Sequence, residues 1–407
     1  MKALFVSRHN NDYDSIAPVA DGWTGLSPAH QARFYFPTPE IRWRDDHRTR
    51  ILRENKRIEF LDLWDMGASP AMRKWLISQW SKVTADTRAK RKFLQIVTEN
   101  LLAGKFAPRL NAMLDDYKPD IIAFDWHGIA PRRLRFGHFG YQEIVLWAHA
   151  NKVPIVSLPH GLVLYNQPQA REANMGVYHT LFVESEERRQ TLLRLGGALP
   201  RIYVGGSPRY APVWVERVAR DLASTIPANP AIPGRVNIVY FGKKQVYDYD
   251  FARQNEWLAH LAAHPAVDLV IQPHPRGQRS AAFDSLARLP NVRIDARTPA
   301  TALIGDAGMV STLTSSVMVE AVVRGREILY PRFFNTVVTR FEERNACVSL
   351  DAMEATYPAI DRFLAGERVP RVNYDKFLKE TVFGGGDEDT IGRICRHIEE
   401  IARENRH

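Results

Sequence analysis

The sequence predicts an α/β protein built in two halves, and three observations predict it. Residues 306–331 read as strand, turn, helix, turn, strand. Residues 266–277 place His274 and Arg276 just after an apolar strand run. A stretch rich in Pro and small residues, 224–235, separates two successive rounds of this pattern.

The 306–331 stretch is the centre of the prediction. Ala307–Ser311 is a short apolar run suited to a buried parallel strand. Thr312–Ser316 is small and hydroxylic, and Thr314 or Ser315 is placed to cap a helix. Val317, Ala321 and Val322 give that helix an apolar face. Gly325 ends it, and Ile328–Tyr330 enter the next strand before Pro331. A hydroxyl-rich helix start presents free N–H groups and a positive dipole end, which suits a phosphate. It equally suits an ordinary capped helix. The strand Val267–Ile271 shifts the weighting. His274-Pro275-Arg276-Gly277 follow at its carboxyl end, where open α/β sheets bind ligands. A His and an Arg there, one unit before a hydroxyl-rich helix start, can hold a diphosphate or nucleotide monophosphate from two sides.

The other elements fit in order. Ala3–Val6 is the first strand. Ser7–Trp23 reads as a long polar loop without GxGxxG spacing, and Arg8 and His9 stand at its start as candidate acceptor contacts. Ile58–Leu63 is a strand. Ala71–Val97 reads as a helix with Trp75, Leu76, Trp80 and Val83 on one side and Lys90, Arg91 and Lys92 among its many basic residues. Such a helix lies on an anionic membrane, the contact assigned to 72–97, or packs its tryptophans inward. After a helix at Phe106–Tyr117, the strand Ile121–Phe124 ends at Asp125-Trp126-His127-Gly128. The strand Val153–Leu158 ends at Pro159-His160-Gly161. Two neighbouring strand ends with a His-Gly pair mark a candidate site. Thr180–Val183 and Ile202–Val204 are strands. In the second half, Val236–Phe241 is a strand with Gly242-Lys243-Lys244 at its end, and Glu388–Asn405 is the closing helix.

With 407 residues the chain has room for two domains, predicted as 1–210 and 236–385 with a linker at 211–235 and a C-terminal helix at 386–407. Hydrophobic residues make up 45% and charged residues 25%, enough for a sizeable core. No run of 18 apolar residues occurs, Met1–Ser7 enters a strand rather than a leader, and Cys347 and Cys395 form no metal or redox motif. The expectation is a cytoplasmic protein, peripheral on the inner face of the cytoplasmic membrane. The net charge of +9 suits an acidic partner, namely a nucleotide-activated substrate, an anionic glycan or an anionic membrane surface. The basic residues follow no nucleic-acid reading motif, so no nucleic acid is expected.

Four short pieces then line up: Pro159-His160-Gly161, Gly206-Ser207-Pro208-Arg209-Tyr210, Gln272-Pro273-His274-Pro275, and Thr314-Ser315-Ser316 leading to Glu320-Ala321. In this order, across most of the chain, they resemble the GT-B glycosyltransferases of the bacterial capsule and teichoic-acid group. That group holds CDP-glycerol glycerophosphotransferases, capsule polysaccharide proteins and HP-motif transferases that use CMP-activated sugars. The resemblance implies two Rossmann-like domains facing across a cleft, with the C-terminal helix crossing back to the N-terminal domain. It implies that His274, Thr314, Ser315 and Ser316 bind the donor phosphate, that Lys243, Lys244 and Arg276 line the same site, and that Glu320 contacts the donor ribose. It places the acceptor in the N-terminal half, with Arg8, His9 and His127 as contacts. Related epimerases of the UDP-N-acetylglucosamine type carry a glycine pair and twin glutamates where this chain has Ser315-Ser316 and a lone Glu320, which argues against an epimerase.

The chemistry follows. Helix dipole, His, Arg and Lys can stabilise a departing nucleotide phosphate without a metal. No DxD motif stands in a convincing strand-end context, so neither metal nor other cofactor is expected. Asp125 and His160 are the candidate bases for an acceptor hydroxyl. A retaining route would instead draw on Asp125, Asp248 or Asp250. The expected reaction moves a sugar from a cytidine-nucleotide donor, of the CMP-Kdo or CMP-sialic-acid type, onto a growing surface polysaccharide or glycolipid. The alternatives are CDP-glycerol transfer, a nucleotide-sugar 2-epimerase or hydrolase, and a non-catalytic scaffold.

Overall fold

A computed structural model describes residues 1–7, 10–37, 43–62, 65, 78, 107–125, 140–159, 161–162, 164, 175–195, 199–227, 232–243, 250–274, 281–313, 315–334 and 337–405. The chain divides into two compact units. One comprises Met1–Gly161, Gln169–Ala211 and Phe383–His407; the other comprises Leu162–Pro168 and Pro212–Val382. The basic stretch at 71–97 lies outside the described residues apart from Ser78. No described helix is long and apolar enough to cross a membrane.

The first unit holds a seven-stranded sheet of β1 (Lys2–Val6), β2 (Gln31–Phe36), β3 (Ile58–Asp62), β4 (Ile121–Asp125), β5 (Ile155–Leu158), β6 (Thr180–Val183) and β7 (Arg201–Val204). Its order is β3-β2-β1-β4-β5-β6-β7, and every pair is parallel. Every residue of β4, β5 and β6 is buried, which is why these strands read as continuous apolar runs rather than alternating ones.

The polar stretch expected as a loop, Ser7–Trp23, is a correction: Asn10–Leu26 is a helix with Pro18 inside it. Tyr13, Ile16, Ala17, Ala20 and Trp23 fall at helical spacing and are fully buried, so packing overrides a helix-breaking composition. The chain returns to this unit at Phe383, and the final helix, Thr390–Glu404, packs on the Asn10–Leu26 helix. Cys395 Sγ donates to the Val19 carbonyl at 3.3 Å. His30 Nε2 lies 3.3 Å from a Glu399 carboxylate oxygen. A glycine makes the close approach possible: a Cβ on Gly22 would stand 2.3 Å from Ile391 Cγ2.

The second unit holds β8 (Val236–Phe241), β9 (Val267–Gln272), β10 (Val292–Ile294), β11 (Met309–Ser311), β12 (Glu327–Pro331) and β13 (Val348–Leu350). The order is β10-β9-β8-β11-β12-β13, again parallel throughout. The stretch expected as a linker, 211–235, opens with the helix Pro212–Ala223, which buries Trp214, Val215, Val218 and Leu222 in this second unit.

Gly22→Ala should overpack the contact with Ile391 and lower stability by about 1–3 kcal/mol, read by denaturant melting. Ile391→Ala in the same chain should recover part of the loss; no loss in the single variant would contradict the packing described.

Candidate functional site

Strand order locates the candidate site in each unit. A doubly wound sheet grows from its first strand in one direction, then crosses back to the other side. The crevice at the carboxyl ends of the two strands flanking that reversal is where such sheets bind ligands. In the second unit the reversal falls between β8 and β11, and β9 lies on the far side of β8. Lys243 follows β8, His274 follows β9, and Ser315 and Ser316 follow β11. Three separate sequence signals therefore converge on adjacent strand ends. Lys244, Arg276 and Thr314 lie outside the described residues.

Hydrogen bonds tie these ends together. Thr312 Oγ1 donates to the Phe241 carbonyl at 2.8 Å, joining β11 to β8. Gly242 N donates to the Gln272 carbonyl at 2.8 Å, joining β8 to β9. Gln272 Nε2 donates to the Thr298 carbonyl at 2.6 Å, joining β9 to the turn after β10. Gly242 eases this closeness, because a Cβ there would lie 3.3 Å from the Gln272 carbonyl oxygen, tighter than most such contacts.

The helix after β11 spans Val317–Val323 and is capped differently from the expectation. Ser316 is the N-cap residue and its side chain makes no capping bond. Ser315 Oγ stands 3.5 Å from Val317 N, a long contact, while the Ser315 and Ser316 carbonyls accept from Met318 N and Val319 N. Both serines are half-buried. Glu320 is 8% exposed and sits on the helix's buried face beside Val319 and Ala321. Burial pushes the Arg324 guanidinium's pKa down, and the Glu320 charge opposes that shift.

Lys243 is the most perturbed cation at this edge. Burial pushes its ammonium down to about 8 from 10.5. Desolvation disfavours the charged form, and a bound anion would restore it. The sequence shows a Lys-Lys pair at a strand end but not that the first of them is desolvated.

In the first unit the reversal falls between β1 and β4. Asp125 is the last residue of β4 and is fully buried. Ser7 follows β1, also fully buried, and its N donates to the Tyr35 carbonyl at 3.1 Å. Arg8, His9, His127 and His160 lie outside the described residues. An ion network that the sequence does not reveal stands at this unit's strand ends. Arg48 bonds Asp46 and Asp14, and Arg209 Nη1 lies 3.1 Å from Asp14 Oδ2. Burial would lower the Arg48 pKa, but Asp14 and Asp46 outweigh it and hold the group firmly charged. Asp14, Arg48 and Arg209 are far apart in the chain, so no local spacing marks their contacts. The network pins the start of the Asn10–Leu26 helix to the 208–210 turn.

No family model and no curated protein matches this chain. Solved structures do. UDP-GlcNAc 2-epimerase from Neisseria meningitidis, bound to UDP-GlcNAc, aligns with 99% of this chain and 100% of its own, at 15% identity and TM-score 0.61. UGT71G1 of Medicago truncatula, complexed with UDP-glucose, aligns over 98% of both chains at 10% identity and TM-score 0.56. The wall teichoic acid polymerase TagF, soaked with CDPG, covers 100% of this chain and 90% of its own at 11% identity and TM-score 0.54. The chain has the GT-B fold. At these identities the likeness speaks for the fold.

The Lys243 environment sets a pH dependence. Its folded pKa of about 8 lies below the unfolded 10.5, so between those values only the unfolded chain holds the proton. The group therefore adds stability as pH rises through that window, and below about 8 its burial cost is constant. Lys243→Met removes the buried charge. Its stability gain over the wild type should shrink between pH 7 and pH 10 in denaturant melts. A gain independent of pH would contradict the burial.

Proposed function

We propose that this chain is a GT-B transferase that takes a sugar or polyol phosphate from a nucleotide-activated donor. The observation that carries the reading is the convergence of Lys243, His274 and Ser315-Ser316 on three adjacent strand ends at the β8/β11 reversal. A phosphate placed there meets a desolvated ammonium whose charge it would stabilise, a half-buried imidazole and the Ser315 and Ser316 side chains at a helix start. These groups suit the charge that develops on a departing nucleotide phosphate. Lys244, Arg276 and Thr314 belong to the same proposed cradle by sequence position.

The acceptor hydroxyl attacks the transferred group as its bond to the nucleotide oxygen breaks. The hydroxyl proton passes to a base, and the negative charge passes to the phosphate held at β8/β11. Asp125 is fully buried, so we assign the proton-accepting step to His160 and a positioning role to Asp125. Arg8, His9 and His127 are proposed acceptor contacts. A cytidine nucleotide of the CMP-sugar type is the proposed donor, with a surface glycan or glycolipid as acceptor and the basic 72–97 stretch as a proposed membrane contact. CDP-glycerol is the second proposed donor, favoured by the fold shared with TagF. Nucleotide-sugar 2-epimerisation is a second reaction class, favoured by the fold shared with the Neisseria epimerase. The lone Glu320 and the Ser315-Ser316 pair weigh against it.

CMP, CDP, UMP, UDP and GDP should be ranked by the rise in melting temperature they cause, since a ligand of the folded state raises it by mass action. The best ligand should bind roughly tenfold or more weakly to Lys243→Met, in keeping with a lost charge-assisted contact. Nucleotide binding that ignores Lys243→Met and His274→Ala would contradict the cradle. Epimerised donor appearing without acceptor would move the reading to the second class.

A further inference from the structure

A half-open cavity of about 180 Å³ lies wholly in the second unit. Ala223, Ile226, Pro227, Ala302 and Leu303 give it apolar walls, and Arg293, Asp306 and Arg324 charge its rim. None of these residues belongs to the proposed phosphate cradle.

Arg324 is the informative side chain. It caps the carboxyl end of the Val317–Val323 helix, and its guanidinium packs against Gly305, where a Cβ would stand 2.9 Å from Nη2. Nη1 donates to the Thr301 carbonyl, and among the described residues this is its one side-chain hydrogen bond. A guanidinium carries five N–H donors in a planar fork. Most of this one's donors are thus uncommitted in a half-buried place beside an apolar cavity. Arg293 also lines the cavity, in an exposed ion pair 3.8 Å from Asp295. Burial pushes the Arg324 pKa down, Glu320 and Asp306 oppose that shift, and Arg326 is a like charge nearby.

We propose that this cavity binds a compact monocarboxylate of about benzoate's size, its carboxylate on the Arg324 fork and its apolar body against Ala302, Leu303, Ile226 and Pro227. The volume fits, since an apolar cavity of about 150 Å³ holds a benzene molecule. The head group fits, since the arginine fork matches a carboxylate in a bidentate way. The Val317–Val323 helix runs from Ser316 to Arg324, so such a ligand grips the end opposite the two serines. The site stands independently of the nucleotide reading.

Fluorine NMR of the full chain with para-fluorobenzoate, compared with para-fluorobenzyl alcohol, tests it. The acid should bind at least roughly tenfold tighter than the neutral alcohol. Arg324→Gln should remove that preference. Ala302→Leu should fill the apolar wall and weaken both probes. Asp306→Asn should tighten the acid severalfold and leave the alcohol unchanged. Equal affinity for acid and alcohol in the wild type would overturn the proposal, as would no acid binding at roughly 10 mM probe. Acid binding untouched by Ala302→Leu would place the ligand elsewhere and overturn it too, which keeps the test decisive should Arg324→Gln fail to fold.

Discussion

Thr312 donates its hydroxyl hydrogen to the Phe241 carbonyl across 2.8 Å, at the place where the second sheet turns back on itself. The ladder between β8 and β11 ends one residue earlier, at Ser311 and Tyr240. Beyond that level the two strand ends would splay under the twist of a parallel sheet. The buried hydroxyl holds them together, and Gly242 holds β8 against β9 in the same layer. Everything proposed for the site stands on those two ties, because Lys243, His274 and the serines follow within four residues of them. A parallel sheet makes the arrangement economical: every strand delivers its following loop to the same edge, so residues far apart in sequence become neighbours.

The same logic explains why Lys243 is strained electrostatically and Arg48 is not. Arg48 is as deeply buried as any cation described, yet Asp14 and Asp46 keep it charged. Lys243 is partly desolvated, with burial the cause of its shift. A cation placed so gives up solvation in the free protein and regains it from an anionic ligand, which converts a folding cost into ligand affinity.

Much of the fold was legible in the sequence because parallel strands buried on both faces leave continuous apolar runs. Val236–Phe241, Val267–Ile271 and, within the apolar run Ala307–Ser311, the strand Met309–Ser311 were readable for that reason, and their strand ends carried the candidate site with them. The Asn10–Leu26 helix was not legible. Pro18, Gly22 and the acids around them argue for a loop locally, whereas the helix is held by burial of Tyr13, Ile16 and Trp23 and by the closing helix more than 360 residues later, as in the Cys395–Val19 bond with its separation of 376. Gly22 has a meaning only once Ile391 is packed over it. The Arg48–Asp14–Arg209 network and the Arg324 cavity were likewise unreadable, since each is assembled from distant segments.

The most direct measurement is the titration of the Lys243 ammonium itself, followed by carbon NMR of labelled lysine in the presence and absence of CMP. The free-protein pKa should lie at about 8 and move upward when the nucleotide binds, as the phosphate stabilises the charged form. A lysine that titrates near 10.5 in the free protein, or whose pKa is unmoved by saturating nucleotide, would contradict the assignment of this strand end as the phosphate site.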